Sequence, residues 1–372
     1  MAVGLPLKTT YANGDVFSAS DINDTNGTIN LTAAPFAAGK NRLINGNMAV
    51  AQRGTSFTAS NNNDDAYTLD RWYILSDTND VIDVTRATDV PTNGLYSIGL
   101  DVETVNKKFG IAQIIEQQNS IGLIGNTVTL SFKAKVSSTT KLDNVKAAIV
   151  AWSGTADTVT SDIISAWGVE GTNPTLIANA TYENTPANLG VTTSWASYSI
   201  TAAIDTASTK NILVFIWSDV TDTTLGDFLY VTDVQLEAGS TATGFQTATG
   251  TIQGELAACQ RYYVRGNAVG ATASRFFANS GAYTSSTNVF IGIGFPVEMR
   301  VAPTSIESGG TIGLFEFPGD RTATALALTG TVQTPKQAYL TVTVASGGVA
   351  GKYVQLEAVN DSSAFVAFNA EL

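Results

Sequence analysis

The chain has no histidine and a single cysteine, Cys259, in 372 residues. Without an imidazole, no Ser-His-Asp or Cys-His arrangement can be assembled, and zinc sites built on His/Cys sets are excluded as well. One thiol forms no intrachain disulfide. Charge is scarce too, with Asp, Glu, Lys and Arg together making up 14% of the chain, against about 25% in an average soluble protein. Of these residues 32 are acidic and 20 basic, a formal net charge of -12. No Lys/Arg-rich run offsets that sign, so phosphate backbones and anionic lipid are repelled and nucleic acid is not an expected partner. A run of about 18 apolar residues is missing, so no membrane insertion is expected. No charged n-region followed by an apolar h-region opens the chain, so no secretory signal is expected. The expectation is synthesis in a host cytoplasm and exit, if any, by another route such as lysis.

What remains is 44% hydrophobic, with Ser, Thr, Asn, Gly and Ala left to cover the surface. That balance suits half-buried strands joined by polar turns, and it suits a chain that covers further surface against copies of itself. The length predicts two domains and a short appendage.

Period-two alternation dominates the middle of the chain. NTVTLSFKAKV (residues 126–136) sets Val128, Leu130, Phe132 and Ala134 against Thr129, Ser131, Lys133 and Lys135, the pattern of a strand with one face buried. VKAAIVAW (145–152), WASYSITAAI (195–204), KNILVFIW (210–217) and DFLYVTDVQLEAG (227–239) read the same way, separated by turn clusters such as SDVTDTTLGD (218–227). Ile212 to Trp217 is apolar throughout, which predicts a strand covered on both faces. STATGFQTATGTIQ (240–253) reads as a linker and GELAACQRYYVR (254–265) as a short helical segment. Further strands follow in NVFIGIGFPVEMR, QAYLTVTVAS, GKYVQLEAVN and SAFVAFNAEL. Strands at this spacing without intervening helices predict an all-β chain of sandwich or jelly-roll type. Val-Gln-Leu-Glu-Ala occurs twice, at 234–238 and 354–358, which leaves a duplicated sandwich open. Near the N-terminus, Ser18 or Ser20 could cap a helix whose stripe holds Ile22 and Ile29. Such a segment is either a frayed terminus or a helix packing about a symmetry axis.

The search for chemistry returns little. SGGTIG (308–313) and SGGVAG (346–351) lack a Walker lysine and sit between strands, so they read as turns. Asp70, Glu116, Asp233 and Glu237 are the carboxylates a glycosidase could draw on, but their spacing has no distinguishing pattern. No cofactor and no metal site is assigned, although Asn61–Asp65 and Ser76–Asp80 are oxygen-rich enough to be weighed for calcium. Among aromatics that could stack on a sugar, Trp152, Trp195 and Trp217 border apolar strands and read as core. Trp167, in the Gly/Asn-rich SAWGVEGTNP, is the better exposed candidate. Asp70 and Arg71 could pair at a strand start, and Arg71 and Trp72 are the remaining candidate ligand contacts.

Several stretches resemble a recurrent type of bacteriophage tail fibre and related virion protein. GLPLKTTYANGDVFSASDIN (4–23) resembles the particle-proximal opening of such fibres. NRLINGNMAVAQRGTSF (41–57) and YTLDRWYI (67–74) are similar to the entry strands of their carbohydrate-binding-module-like jelly roll. VTDVQLEAGSTATGFQ (231–246) with ELAACQRYY (255–263) resembles its closing strand and junction, and FNAEL (368–372) the fibre ending. The resemblance implies a virion-attachment segment at 1–40, a jelly roll at 41–248 and a distal β-sandwich at 249–372. It implies a homotrimer that docks to tail or baseplate proteins through its N-terminal segment and binds a host-surface glycan or receptor, without enzymatic activity. A head fibre, decoration protein or tail adaptor without receptor binding is the first alternative, and a polysaccharide depolymerase the second.

Overall fold

The computed structural model describes residues 39–270, 274–277, 279–316, 319–330 and 332–372. The expected helix around Ile22 and Ile29, and nearly all of the attachment segment, lie outside them.

Alternation builds the first sandwich. Strand Thr127–Val136 buries Val128, Leu130, Phe132, Ala134 and Val136 and turns Lys133 and Lys135 outward. It pairs antiparallel with Ala196–Ala203, Leu130 facing Ile200. The six-stranded sheet runs Ser56–Phe57, Ile82–Ala87, Ser97–Val102, Phe228–Ala238, Thr127–Val136, Ala196–Ala203. A five-stranded sheet, ordered Ala180–Tyr182, Val145–Trp152, Asn211–Ser218, Phe109–Ile115, Tyr73–Ser76, packs against it. Leu100, Phe132, Ile149, Val214 and Leu236 are among the side chains buried between the two. Each contributes about 1.5–3 kcal/mol on leaving water.

The apolar run 212–217 is buried on both faces. Ile212, Val214 and Ile216 face the six-stranded sheet, while Leu213, Phe215 and Trp217 join a second cluster with Val159, Ile163 and Trp167 from the segment that follows Trp152. A buried ion triad pins this cover down. Lys108 pairs with Asp219 and donates to the carbonyls of Val169 (2.7 Å) and Thr172 (3.1 Å). Lys146 meets Asp219 at 2.6 Å and donates to Asn173 Oδ1 at 2.9 Å.

The stretch expected to be a linker is tied back onto the sandwich. Glu237 accepts from the Thr243 N–H at 2.8 Å, and Gln235 Oε1 from Gln246 N at 2.9 Å. The helix is Ile252–Gln260, earlier than expected, because the Thr251 hydroxyl accepts from Gly254 N at its start. Tyr263–Asn267 is already a strand, paired with Phe365–Asn369, and aromatic and β-branched residues favour that state.

The second sandwich sets a three-stranded sheet (Tyr263–Asn267, Phe365–Asn369, Ser305–Gly309) beside a larger one, ordered Ser274–Arg275, Tyr353–Ala358, Asn279–Tyr283, Asn288–Gly294, Gln337–Val344, Arg321–Leu328, Ile312–Phe315. The last strand also pairs with Tyr353–Ala358, so the hydrogen-bonded circuit closes on itself. Closure protects strand edges from pairing with another chain. The fold is all-β in two sandwiches. Its two Val-Gln-Leu-Glu-Ala runs have different neighbours: one lies between Ser97–Val102 and Thr127–Val136, the other among Ser274–Arg275, Asn279–Tyr283 and Ile312–Phe315.

Candidate functional site

Six stretches far apart in the chain meet where the two sandwiches touch. Asn45 takes a left-handed φ of 59° in the Asn45–Gly46 turn. Gly46 is required there, since a Cβ would lie 2.1 Å from the Val234 carbonyl oxygen. Asn45 Nδ2 donates to the carbonyls of Val50 (2.9 Å) and Asp70 (3.0 Å), its N–H donates to Glu255 Oε2 (2.8 Å), and its own carbonyl accepts from Trp72 Nε1 (3.0 Å). Glu116 receives Arg261 Nη2 (2.8 Å) and Nε (3.1 Å) together with the Tyr262 hydroxyl (2.9 Å). Burial pushes the Glu116 carboxyl up, but these donors outweigh it and hold it below the usual carboxylate range. The chain end is captured as well. Glu371 pairs with Arg71, Arg300 Nε and Nη2 donate to the Ala370 and Glu371 carbonyls (both 2.8 Å), and Tyr67 donates to the Leu372 carbonyl at 3.0 Å.

Beside this framework lies a cavity of about 460 Å³, within the range of small-molecule sites. The first sandwich supplies Arg53, Ser56, Phe57, Asn61, Ala66 and Tyr67; the second supplies Tyr263, Arg265, Glu307, Phe365 and Asn369. Arg53 lies over the Tyr263 ring, 3.6 Å from its centroid, and 5.2 Å from that of Tyr67. Arg265 lies 3.6 Å over Phe365 and donates Nη1 to the Arg53 carbonyl at 2.6 Å. Glu307 accepts from the Tyr263 hydroxyl at 2.9 Å and from Asn369 Nδ2 at 3.3 Å. Burial, then the Glu307 charge, pushes the Tyr263 hydroxyl well above its ordinary pKa, so it stays a donor at neutral pH. Aromatic faces, guanidinium groups, one carboxylate and amide donors thus converge in one concave space, the inventory a polyhydroxylated ligand needs.

The three residues singled out in the sequence are placed elsewhere. Trp72 is 0% exposed and Arg71 1%. Arg71 does not pair with Asp70; it pairs with Glu371, donates Nη2 to the Ile114 carbonyl at 2.6 Å and lies over the Tyr262 ring. Asp70 instead accepts from the Gln52 N–H at 2.6 Å. Both candidates are therefore corrected to framework residues: neither reaches solvent, the indole N–H is spent on Asn45 and both Arg71 terminal nitrogens on Glu371 and Ile114. Trp167 is also buried, edge-on to Phe215 at 5.9 Å, so it closes the core instead of facing solvent. Of the tryptophans read as core, Trp152 and Trp217 are buried. Trp195 is half-exposed and donates to Asp89 Oδ1 at 3.0 Å. The remaining carboxylates of interest serve the fold: Asp233 pairs with Lys133 at 2.9 Å and Glu237 with Lys40 at 3.0 Å. The two oxygen-rich loops meet, Asp64 Oδ1 accepting from Ser76 N at 2.7 Å. Among the described residues, no three His, Cys, Asp or Glu side chains are grouped to hold a metal ion.

Arg53, Tyr67 and Tyr263 lie inside stretches that carried the family resemblance, so a signal for them existed, but it marked the fold and not a cavity. Arg265 and Glu307 had none: Glu307 is 44 residues from the tyrosine it binds. A second concave surface, about 610 Å³, lies on the larger sheet of the second sandwich between Tyr283, Phe290, Tyr339 and Tyr353, with Gly281 and Gly292 also lining it.

No protein-family model matches the sequence, and no curated protein does. Solved structures similar to part of the chain include the enzymatically active domain of bacteriophage CBA120 tailspike protein 4, at 15% identity and a TM-score of 0.32 over 54% of this chain and 22% of that one. The CBM22-1 xylan-binding domain from Paenibacillus barcinonensis is similar at 12% identity and a TM-score of 0.30, over 55% of this chain and 98% of that one. An arabinose-bound α-L-arabinofuranosidase is similar at 11% identity and a TM-score of 0.32, over 55% of this chain and 27% of that one. The chain thus spans about a fifth of the tailspike structure it matches.

Proposed function

We propose that the protein is a structural component of a bacteriophage virion, a homotrimeric tail fibre that binds a host-surface glycan in the cavity between its two sandwiches. The single observation that carries the binding role is that cavity: aromatic faces beside hydrogen-bonding side chains, held by a rigid network of Glu116, Arg261, Arg71 and Glu371. Rigid walls spare a ligand the cost of ordering its site. Virion membership and attachment through residues 1–40 are supported by the tail-fibre-like stretches along the whole chain.

Binding is favoured over hydrolysis on chemical grounds. Glycoside cleavage uses two carboxyl groups flanking the bond, and the cavity lining holds one, Glu307, already committed to Tyr263 and Asn369.

The test is adsorption competition with purified full-length protein and a Ser56→Trp variant, which fills the cavity from an exposed position. Wild type is expected to adsorb to host cells and block infection, and the variant to lose at least about tenfold in potency. If wild type fails to adsorb, the chain is a head fibre, decoration protein or tail adaptor; release of oligosaccharides would make it a depolymerase.

A further inference from the structure

The cavity holds more positive charge than a neutral sugar requires, in a chain whose net charge is -12. Its lining carries two guanidinium groups, Arg53 and Arg265, and one carboxylate, Glu307. Arg53 is 7% exposed, and its Nη2 is buried with no hydrogen-bond partner among the described residues. Its Nη1 reaches Glu371 Oε1 only at 3.4 Å, and Glu371 is already shared with Arg71. Arg265 commits Nε to Asn267 Oδ1 at 2.7 Å and Nη1 to the Arg53 carbonyl at 2.6 Å. A buried N–H without an acceptor is costly, more so on a cation, and persists where a ligand supplies the acceptor.

Geometry narrows the acceptor. One face of each guanidinium group is taken by a ring, Arg53 by Tyr263 and Arg265 by Phe365, each at 3.6 Å. In-plane N–H edges meet a planar carboxylate well. Counting Glu371 and the Arg71 that shares it, three guanidinium groups stand against two carboxylates, Glu307 and Glu371; the surplus of one charge suits a monoanion better than a phosphate dianion.

We infer that the cavity takes a saccharide through its carboxylate, a uronic or sialic acid residue, with the acid group on the Arg53 and Arg265 edges and the sugar ring against Tyr67 or Phe57. This rests on the reading of the cavity as a saccharide site and adds which saccharides enter it.

Calorimetric titration of the full chain with oligogalacturonate and with sialyllactose, each beside its carboxyl-reduced counterpart, tests the inference. At least one acidic probe is expected to bind, with its reduced counterpart weaker by about tenfold or more. Arg265→Gln, at a half-exposed position, is expected to lose a similar factor on the acid and so to narrow the gap between the acid and its reduced counterpart. Arg53→Lys should lose the same preference without removing the buried charge. Inorganic phosphate should not displace the acidic sugar at equal concentration. Equal binding of acid and reduced sugar overturns the carboxylate assignment and leaves the saccharide site standing, and so does displacement by phosphate. Binding that survives Ser56→Trp and both arginine variants, or no binding of any probe, overturns the assignment and the site together.

Discussion

Arg71 and Glu371 are buried together, 1% and 4% exposed, 300 residues apart in the chain. Arg71 holds a left-handed φ of 70° to reach this place. Removing one partner of a buried pair strands the other charge, which costs about 3–5 kcal/mol. Arg71→Met is therefore expected to lower unfolding stability by less than that full amount, because Arg53 still reaches Glu371 at 3.4 Å, with a smaller loss again for Glu371→Gln; denaturant midpoints at constant slope check this. Three carboxyls act in the opposite sense. Burial and neighbouring acids push Asp65 up to about 7, Asp101 to about 6 and Glu357, beside Asp320, to about 7. Their ordinary values are 3.8 for Asp and 4.5 for Glu. Between those values and 6–7 the folded chain holds more protons than the unfolded one, so stability falls as pH rises through that window. Asp361, held down to about 2 by Ser363 and Thr311, contributes stability that is lost as pH falls from 3.8 towards 2. Melting temperature is expected to be higher at pH 5 than at pH 8 and to drop again near pH 2. Asp101→Asn should raise it most at pH 8, by a smaller amount at pH 5, and leave it nearly unchanged near pH 3, where the carboxyl is protonated in both states.

At the level of elements, the strand Asn211–Ser218 and the segment that covers it were unequally legible. The six apolar residues from Ile212 to Trp217 have no polar face to offer water, so burial on both sides followed from the sequence alone. The cover did not. Its apolar residues, Val159, Ile163, Ile164 and Trp167, follow no period, and what fixes them is Lys108, just ahead of the strand Phe109–Ile115, reaching Val169 and Thr172. Trp167 read as exposed because its neighbours are Gly and Asn, and local composition says nothing about a lysine 59 residues away. The same limit hid Glu371 from Arg71 and Glu307 from Tyr263, whereas the alternation of Thr127–Val136 is local and was legible residue by residue. Lys108→Met therefore has an expected signature. With Asp219 still paired to Lys146 at 2.6 Å, the sandwich core survives and the cover keeps only its Lys146–Asn173 tie. Amide exchange should accelerate across residues 163–177 while Thr127–Val136 stays protected; uniform acceleration would place the lysine in the global core instead.

For the whole molecule, the cavity and the chain end form one unit, because Arg53 both lines the cavity and reaches Glu371. If the cavity binds a sugar as proposed, a single site of this size, polar and open to water, would bind weakly, and firm adsorption would need several sites on one body. The proposed homotrimer would supply them: a second site tethered to the first meets its ligand at an effective concentration of about millimolar, and avidity exceeds single-site affinity by roughly 10²–10⁴. Val169, Leu225 and Val269 are 75%, 68% and 78% exposed in one chain, apolar side chains that the proposed assembly could cover. If residues 1–40 carry the proposed assembly, removing them separates assembly from recognition. The full chain is expected to have three times the chain mass by light scattering, and residues 39–372 alone the mass of one chain. The shortened protein should keep its affinity for a soluble oligosaccharide and lose about a hundredfold or more in blocking infection. A full chain that is monomeric yet blocks infection as strongly would remove avidity from the mechanism, because one cavity per molecule would then account for adsorption.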